Sequence, residues 1–382
     1  MSEGTLGFNL RSAEFLADPY PYYRQLRERS PIIFSEDWNA WFVTSYDGCR
    51  NLLRDNRLGH AAAPDNPFIF QNPPQHTRLR KLTAIAFSKD YIDAHRGKIK
   101  ERMDRIIADI PRGEKVDLMQ ALAFPFPVSV IADMFGYPDS DFDKLMRWAH
   151  AMELTFDPLQ DVNSDTEVIT ARNEFAAYLQ QLLMQRMAAP GDDMLTRLMS
   201  ADVDGDRLTP GELISTSILL LVAGYITTAN LIGNGVKLLL RNPDQLEILR
   251  QDTSLVSQAV EELLRLEPPG QIGHRYAMED MAYGDHTFKK GELVFLCAAA
   301  ANRDPAMFDD PESVDVKRKP NPHLGFGGGI HACLGAPLGH LEARIAFEAI
   351  LTELPDLKLV EGGYEYYDTF VFRALKKLEV TT

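Results

Sequence analysis

Cysteine is scarce in this chain. Cys49, Cys297 and Cys333 stand among 382 residues, too few for a disulfide framework, and their spacing does not suit a structural zinc site. A reducing compartment fits that scarcity. Positive charge is also in short supply: 40 lysines and arginines face 55 aspartates and glutamates, and the net charge of -15 argues against general nucleic-acid binding. The start, Met1-Ser2-Glu3-Gly4-Thr5, lacks a basic segment followed by an apolar one, so neither signal peptide nor membrane anchor is expected. The expected location is cytoplasmic. Long apolar runs are absent too, because the longest, Ile218 to Ile226, is too short to span a bilayer and is followed by Thr227, Thr228, Asn230 and Asn234. No linker and no solenoid repeat interrupts the sequence, since its 23 prolines and 25 glycines are dispersed. A single domain over residues 1–382 is expected.

What is present reads as mainly α. A long buried helix should start at the Thr209-Pro210-Gly211-Glu212 cap signal and end before Asn242-Pro243. The apolar spacing predicts further helices over Tyr22–Arg29, His76–Phe87, Ile92–Ile107, Ala171–Ala188, Asp244–Arg250, Leu255–Leu266 and Leu338–Leu354. Extended segments are expected at Ile32–Phe34, Ala40–Val43 and Leu293–Leu296, with a terminal pair around Phe370–Phe372 and Leu378–Val380. The β contribution is minor.

One stretch carries chemistry more plainly than any other: Phe326-Gly327-Gly328-Gly329-Ile330-His331-Ala332-Cys333-Leu334-Gly335, a cysteine in a glycine-rich loop just before a helical segment. Glycines let the chain turn closely around sulfur, so backbone N–H groups can lower the thiol pKa and tune a bound metal. On these residues alone, Cys333 is either a haem-iron ligand or a buried structural cysteine.

The whole loop resembles the haem-binding signature Phe-Gly-x-Gly-x-His-x-Cys-x-Gly of the cytochrome P450 superfamily, matched at Phe326, Gly327, Gly329, His331, Cys333 and Gly335. Further signatures follow in the family's order over nearly the whole chain. The resemblance implies the cytochrome P450 fold, a large helical domain with a small β-rich region and haem between the central and cysteine-side helices. It implies haem b (iron protoporphyrin IX) with Cys333 as the iron ligand, in a soluble bacterial-type monooxygenase. Ala223 and Thr227, one helical turn apart, resemble the oxygen-binding segment, where a small residue leaves room and a hydroxyl can hydrogen-bond to bound oxygen. The plainer reading of Thr227 is a hydroxyl bonded to the preceding turn. Ile226 departs from the family, most members having an acid there to relay protons.

By the same resemblance Glu262, Arg265 and Arg318 form a buried structural network, and His76, Arg80, Arg275 and His323 meet the haem propionates. The substrate cavity should draw on Asn56–Phe70, Met152–Asp161, the central helix, Pro269–Gly273 and Tyr366–Phe372, with Phe68, Phe70, Tyr225, Ile226, Gly273 and Phe370 among its lining. An apolar or aromatic organic substrate, with secondary metabolites among the classes implied, and dioxygen are the implied reactants. Electrons should come from a separate ferredoxin and its NAD(P)H-dependent reductase, docked on Arg78, Lys81, Lys89, His340 and Arg344. Two alternatives stay open: a nitric-oxide reductase or peroxide-dependent oxidase of the same fold, favoured by Ile226, and a non-enzymatic haem-based sensor.

Overall fold

The computed structural model describes residues 5–61, 67–153, 155, 157 and 164–382. Distant segments gather into two compact units. The first comprises Met1–Ala61, Asn234–Cys333 and Tyr364–Lys376, and the second Ala62–Gly233, Leu334–Gly363 and Lys377–Thr382.

The first unit is built on a five-stranded sheet in the order Ile32–Ser35, Ala40–Val43, Leu293–Leu296, Gly273–Ala277, Leu58–Gly59. Branched and aromatic residues favour these pleated, half-buried segments. Ile32 pairs with Val43 across an antiparallel hairpin, whereas Ala40–Val43 runs parallel to Leu293–Leu296 with Phe42 opposite Phe295. Their rings lie 5.0 Å apart. One sheet face closes over Val43, Cys49, Val294, Leu296 and Phe288. Cys49 and Cys297 are both buried, and desolvation pushes both thiols up, so neither is a ready thiolate.

The second unit is helical. Lys89–Ala108 packs against both Pro125–Phe135 and Ala336–Glu353. The long helix, Pro210–Arg241, contributes residues to both units. It opens with a reciprocal cap, in which Glu212 N–H donates to Thr209 Oγ1 at 3.3 Å and Thr209 N–H to Glu212 Oε2 at 2.8 Å. Among the described residues it alone is long and apolar enough to cross a membrane, yet 72% of its apolar window is buried inside the protein. It is a core helix by that measure. Its Gly224 allows close approach of Pro125–Phe135, since a Cβ there would lie 2.8 Å from Ile131 Cδ1.

The expected helices all form, some with longer starts; Ala171–Ala188 begins at Thr166, where Asp165 caps it. Pro125–Phe135 and Phe142–Ala151 are helices that the sequence reading missed. The terminal β pair also differs from expectation. Phe370–Phe372 forms no strand beyond a bridge from Phe372 to Gly270, while Lys358–Tyr366 is extended and Glu379–Thr381 pairs with Lys115–Asp117.

Candidate active site

In the first unit the cysteine loop is closed by its own backbone. Cys333 N–H donates to Phe326 O at 2.9 Å, and Gly327 N–H to Leu324 O at 2.9 Å. Gly329 has φ of +67°, and a Cβ there would fall 2.3 Å from Leu53 O, so only glycine fits this turn. The Cys333 side chain is exposed, in contrast to the other two cysteines. Phe326, His331 and Gly335 are half-buried and Gly327 is exposed.

Behind the loop, Glu262, Arg265 and Arg318 come together. Arg265 grips Glu262 through two bonds of 2.8 Å, and Arg318 Nε donates to Glu262 Oε1 at 3.2 Å. The network reaches the loop through Asn302, whose carbonyl accepts from Arg265 Nη1 at 3.0 Å and whose Oδ1 accepts from Leu324 N–H at 2.7 Å.

Arg275 is 9% exposed, and its one side-chain hydrogen bond runs from Nη1 to His274 O at 2.7 Å. Among the described residues no carboxylate pairs with it. Burial therefore pulls the guanidinium down to about 10. A buried cation without a counter-ion suits an anionic group, and a haem carboxylate is of that kind. Beside it, burial and then Arg275 push His274 down to about 4, and the His60 ring lies 5.6 Å from His274 and 4.9 Å from His331. His60 had no sequence signal.

His323, expected to meet a propionate, has its Nε2 bonded to Glu261 Oε2 at 2.9 Å and its Nδ1 accepting from Gly325 N–H at 3.1 Å. Phe370 is buried against Trp38 and Phe295, at ring separations of 5.3 and 5.8 Å, and Gly273 is half-buried at the start of its strand.

In the second unit Ala223, Gly224 and Thr227 form the part-accessible face of the long helix. Thr227 Oγ1 donates to Ala223 O at 2.7 Å, which leaves its lone pairs as acceptors. Tyr225 and Ile226, expected to line a cavity, have no accessible surface; each successive residue turns about 100° around a helix, which carries them into the core. Tyr225 packs on Phe124 at 5.6 Å. Phe68 and His76 are buried with ring centroids 6.4 Å apart, while Phe70 and Arg80 are half-buried. Of the expected cavity segments, residues 62–66, 154, 156 and 158–161 lie outside the described residues.

Sequence reasoning also missed Glu342. This buried acid on Ala336–Glu353 accepts from Thr228 Oγ1 at 3.3 Å, and its signal was a carboxylate flanked by Leu341 and Ala343.

Comparison with known proteins bears on these sites. The sequence model of the family described as Cytochrome P450 matches residues 54–355. A biotin biosynthesis cytochrome P450 of Bacillus subtilis is 36% identical over 395 residues, covering 99% of each chain. A vitamin D(3) 25-hydroxylase of Pseudonocardia autotrophica is 37% identical, covering 99% of this chain and 97% of the relative. Among solved structures, P450BioI in complex with hexadec-9Z-enoic acid ligated acyl carrier protein superimposes with a TM-score of 0.90 at 36% identity, over 97% of this chain and 100% of that one. The protein is a haem-thiolate monooxygenase that uses dioxygen on small organic substrates. The chain, like these relatives, belongs to the cytochrome P450 family.

Proposed function

We propose that residues 1–382 act as one catalytic domain in the cytoplasm, that Cys333 holds haem b as its thiolate ligand, and that the reaction inserts one oxygen atom into an apolar substrate. The observation that carries the haem assignment is Arg275, a buried cation whose charge no carboxylate in the described protein answers. Arg275 would hold one haem carboxylate, and His76, Arg80 and His331 would supply further polar contacts. When bound, the haem supplies the oxidising chemistry, with thiolate electron density favouring O–O cleavage.

The chain's own residues orient and protonate. The loop closed between Phe326 and Cys333 fixes the sulfur position, and the Glu262 network holds that loop from behind. Ala223 leaves room beside Thr227, whose Oγ1 can accept a hydrogen bond while its hydroxyl donates to Ala223 O. Phe70 and Ala223 retain apolar surface for substrate contact. An apolar substrate also agrees with the relatives, whose printed names include a vitamin D(3) hydroxylase and a complex with a fatty-acyl carrier protein.

Electrons would come from a separate ferredoxin and its NAD(P)H-dependent reductase. Of the residues proposed for the docking face, Arg78 forks across Asp206 and Glu212 and Lys89 pairs with Asp93. Lys81 is exposed and Arg344 half-buried on the same unit. The test is absorption after reduction and carbon-monoxide binding. Wild type should give the red-shifted thiolate band and Cys333→Ser should lose it while staying folded; a thiolate band that survives this substitution refutes the assignment. Arg275→Met should weaken haem retention and leave the band position unchanged.

A further inference from the structure

Two buried cations share one buried anion in the first unit. The side chains of Lys237, Arg373 and Glu267 are each no more than 7% exposed, and Arg303 near Glu267 is already answered by Glu312. Arg373 takes the better share, since its Nε donates to Glu267 Oε2 at 3.3 Å and its Nη2 to Ala17 O at 2.7 Å. Lys237 stands 3.7 Å from Glu267 Oε1, too far for a hydrogen bond, and donates instead to the Tyr366 hydroxyl.

The donor and acceptor types fix the direction of the bonds beyond it. Arg373 O can only accept, so the Asn234 amide turns Nδ2 to it at 2.7 Å and leaves Oδ1 facing Tyr366. An ammonium can only donate, so the Tyr366 oxygen accepts from Lys237 and its own proton goes to Asn234 Oδ1 at 3.2 Å. Lys237, Tyr366 and Asn234 thus form a line that ends on the backbone beside Phe372, at the close of the segment Tyr366–Phe372 expected to border the substrate. On its other side that segment is held by Gln271 N–H donating to Val371 O and Arg373 N–H to Pro269 O, each at 2.8 Å.

We propose that Lys237 is a positioning residue for the substrate segment Tyr366–Phe372: while it carries its proton it turns the Tyr366 hydroxyl to Asn234, and losing that proton releases the segment and weakens substrate binding. Burial pulls the ammonium down to about 8 against the pull of Glu267; Arg373 and Arg241 add to the fall, and Asp18 opposes it. Tyr364 and Tyr366 face it with their rings at 5.5 and 5.0 Å, and burial holds the Tyr366 phenol well above its ordinary value, so that group keeps its proton. Once Lys237 is a neutral amine its nitrogen offers a lone pair, a better acceptor for a phenol than an amide oxygen is. The Tyr366 proton then turns to Lys237, and Asn234 Oδ1, wholly buried, loses its donor.

This role rests on the substrate reading above but has a readout of its own. Hydrogen exchange of the haem-loaded protein, corrected for the pH dependence of free amides, should show the Gln271 and Arg373 amides losing protection about fivefold between pH 7 and 9.5, the worth of one hydrogen bond. Global stability should rise over the same range, because burial disfavours the ammonium, so general loosening cannot produce that loss. Lys237→Arg keeps its charge and should hold the pH 7 protection throughout, whereas Tyr366→Phe should be less protected at both ends and independent of pH. The dissociation constant of 1-dodecanol, an apolar probe that does not ionise in this range, should rise about fivefold in wild type and stay flat in Tyr366→Phe, read from the haem absorption shift. Protection that does not change with pH in wild type, or a pH dependence that survives in Tyr366→Phe, overturns the proposal. Should Lys237→Arg fail to fold, Tyr366→Phe decides the matter alone. If the amides respond while the 1-dodecanol affinity does not, Lys237 does not position a substrate segment and the proposal falls on that count. A wild-type protein without the thiolate band would refute the haem assignment instead, while hydrogen exchange would still report on Lys237.

Discussion

Replacing Glu262 by glutamine isolates the contribution of one buried charge to the frame behind the cysteine loop. The carboxylate is 0% exposed and accepts from Arg265 Nε and Nη2 at 2.8 Å each, Arg318 Nε at 3.2 Å, Asp315 N–H at 2.9 Å and Asn321 Nδ2 at 3.0 Å. Burial works to raise its pKa, but the Arg265 bonds and charge, with the Asp315 N–H and Arg318, hold it below the ordinary carboxylate range. Glutamine keeps one acceptor oxygen, turns an amide N–H₂ toward guanidinium donors and leaves Arg265 buried without its counter-ion. Removing one partner of a buried pair costs about 3–5 kcal/mol. Arg265 retains carbonyl acceptors at Asn302, Pro311 and Ser313, so the expected loss is about 4 kcal/mol rather than more. That is a large share of the roughly 5–15 kcal/mol that stabilises a typical fold. Urea unfolding should be followed by far-ultraviolet circular dichroism and by haem absorbance, because the two units need not unfold in one step. A depressed acid stabilises above its unfolded pKa and loses that contribution as pH falls, so the difference between wild type and Glu262→Gln should shrink below about pH 4.5. A loss under about 1 kcal/mol at pH 7, or a difference that grows in acid, would refute the reasoning.

Ile226→Asp should destabilise by about 3 kcal/mol or more, because it places a carboxylate at a position with no accessible surface; unchanged thermal unfolding would show that the site admits water. Gly329→Ala should cost about 2 kcal/mol or more and reduce haem incorporation, since it combines positive φ with a clash against Leu53 O, and full haem occupancy would contradict that account. Burial pulls Lys237 down to about 8 despite Glu267 at 3.7 Å. The unfolded chain then binds more protons between about pH 8 and 10.5, so stability should rise across that window by about 3 kcal/mol and Lys237→Met should flatten the rise. Chemical denaturation at stepped pH reads this directly.

The parts of the fold that were legible carried local signals. Thr209 and Glu212 bond as their spacing implied, and Asn242 closes the same helix by donating from Nδ2 to Leu238 O at 2.8 Å. Pro125–Phe135 was not legible because nearly every side is buried, which erases the period that marks an amphipathic helix. Gly273–Ala277 lies inside a sheet yet carries His274 and Arg275, and Lys358–Tyr366 contains Gly362-Gly363; both compositions hide a strand. The joining of Glu262, Arg265 and Arg318 could be anticipated from their residue types, whereas the engagement of both His323 nitrogens depends on Glu261 and the local turn at Gly325.

Position 226 shows why adjacency in sequence misleads at such a site. Residues 226, 227 and 228 follow one another, but each is rotated about 100° from the last, so they meet three different environments. Ile226 fills core, Thr227 borders accessible space, and Thr228 turns toward Glu342. An apolar side chain at 226 therefore satisfies packing at that point and need not mean that acid chemistry is lost from the helix. The Glu342 carboxyl on a neighbouring helix accepts from the Thr228 hydroxyl instead. Glu342, the buried acid of Ala336–Glu353, occupies that place, and burial pushes its pKa up to about 8, so it keeps its proton where an exposed carboxylate would already have ionised.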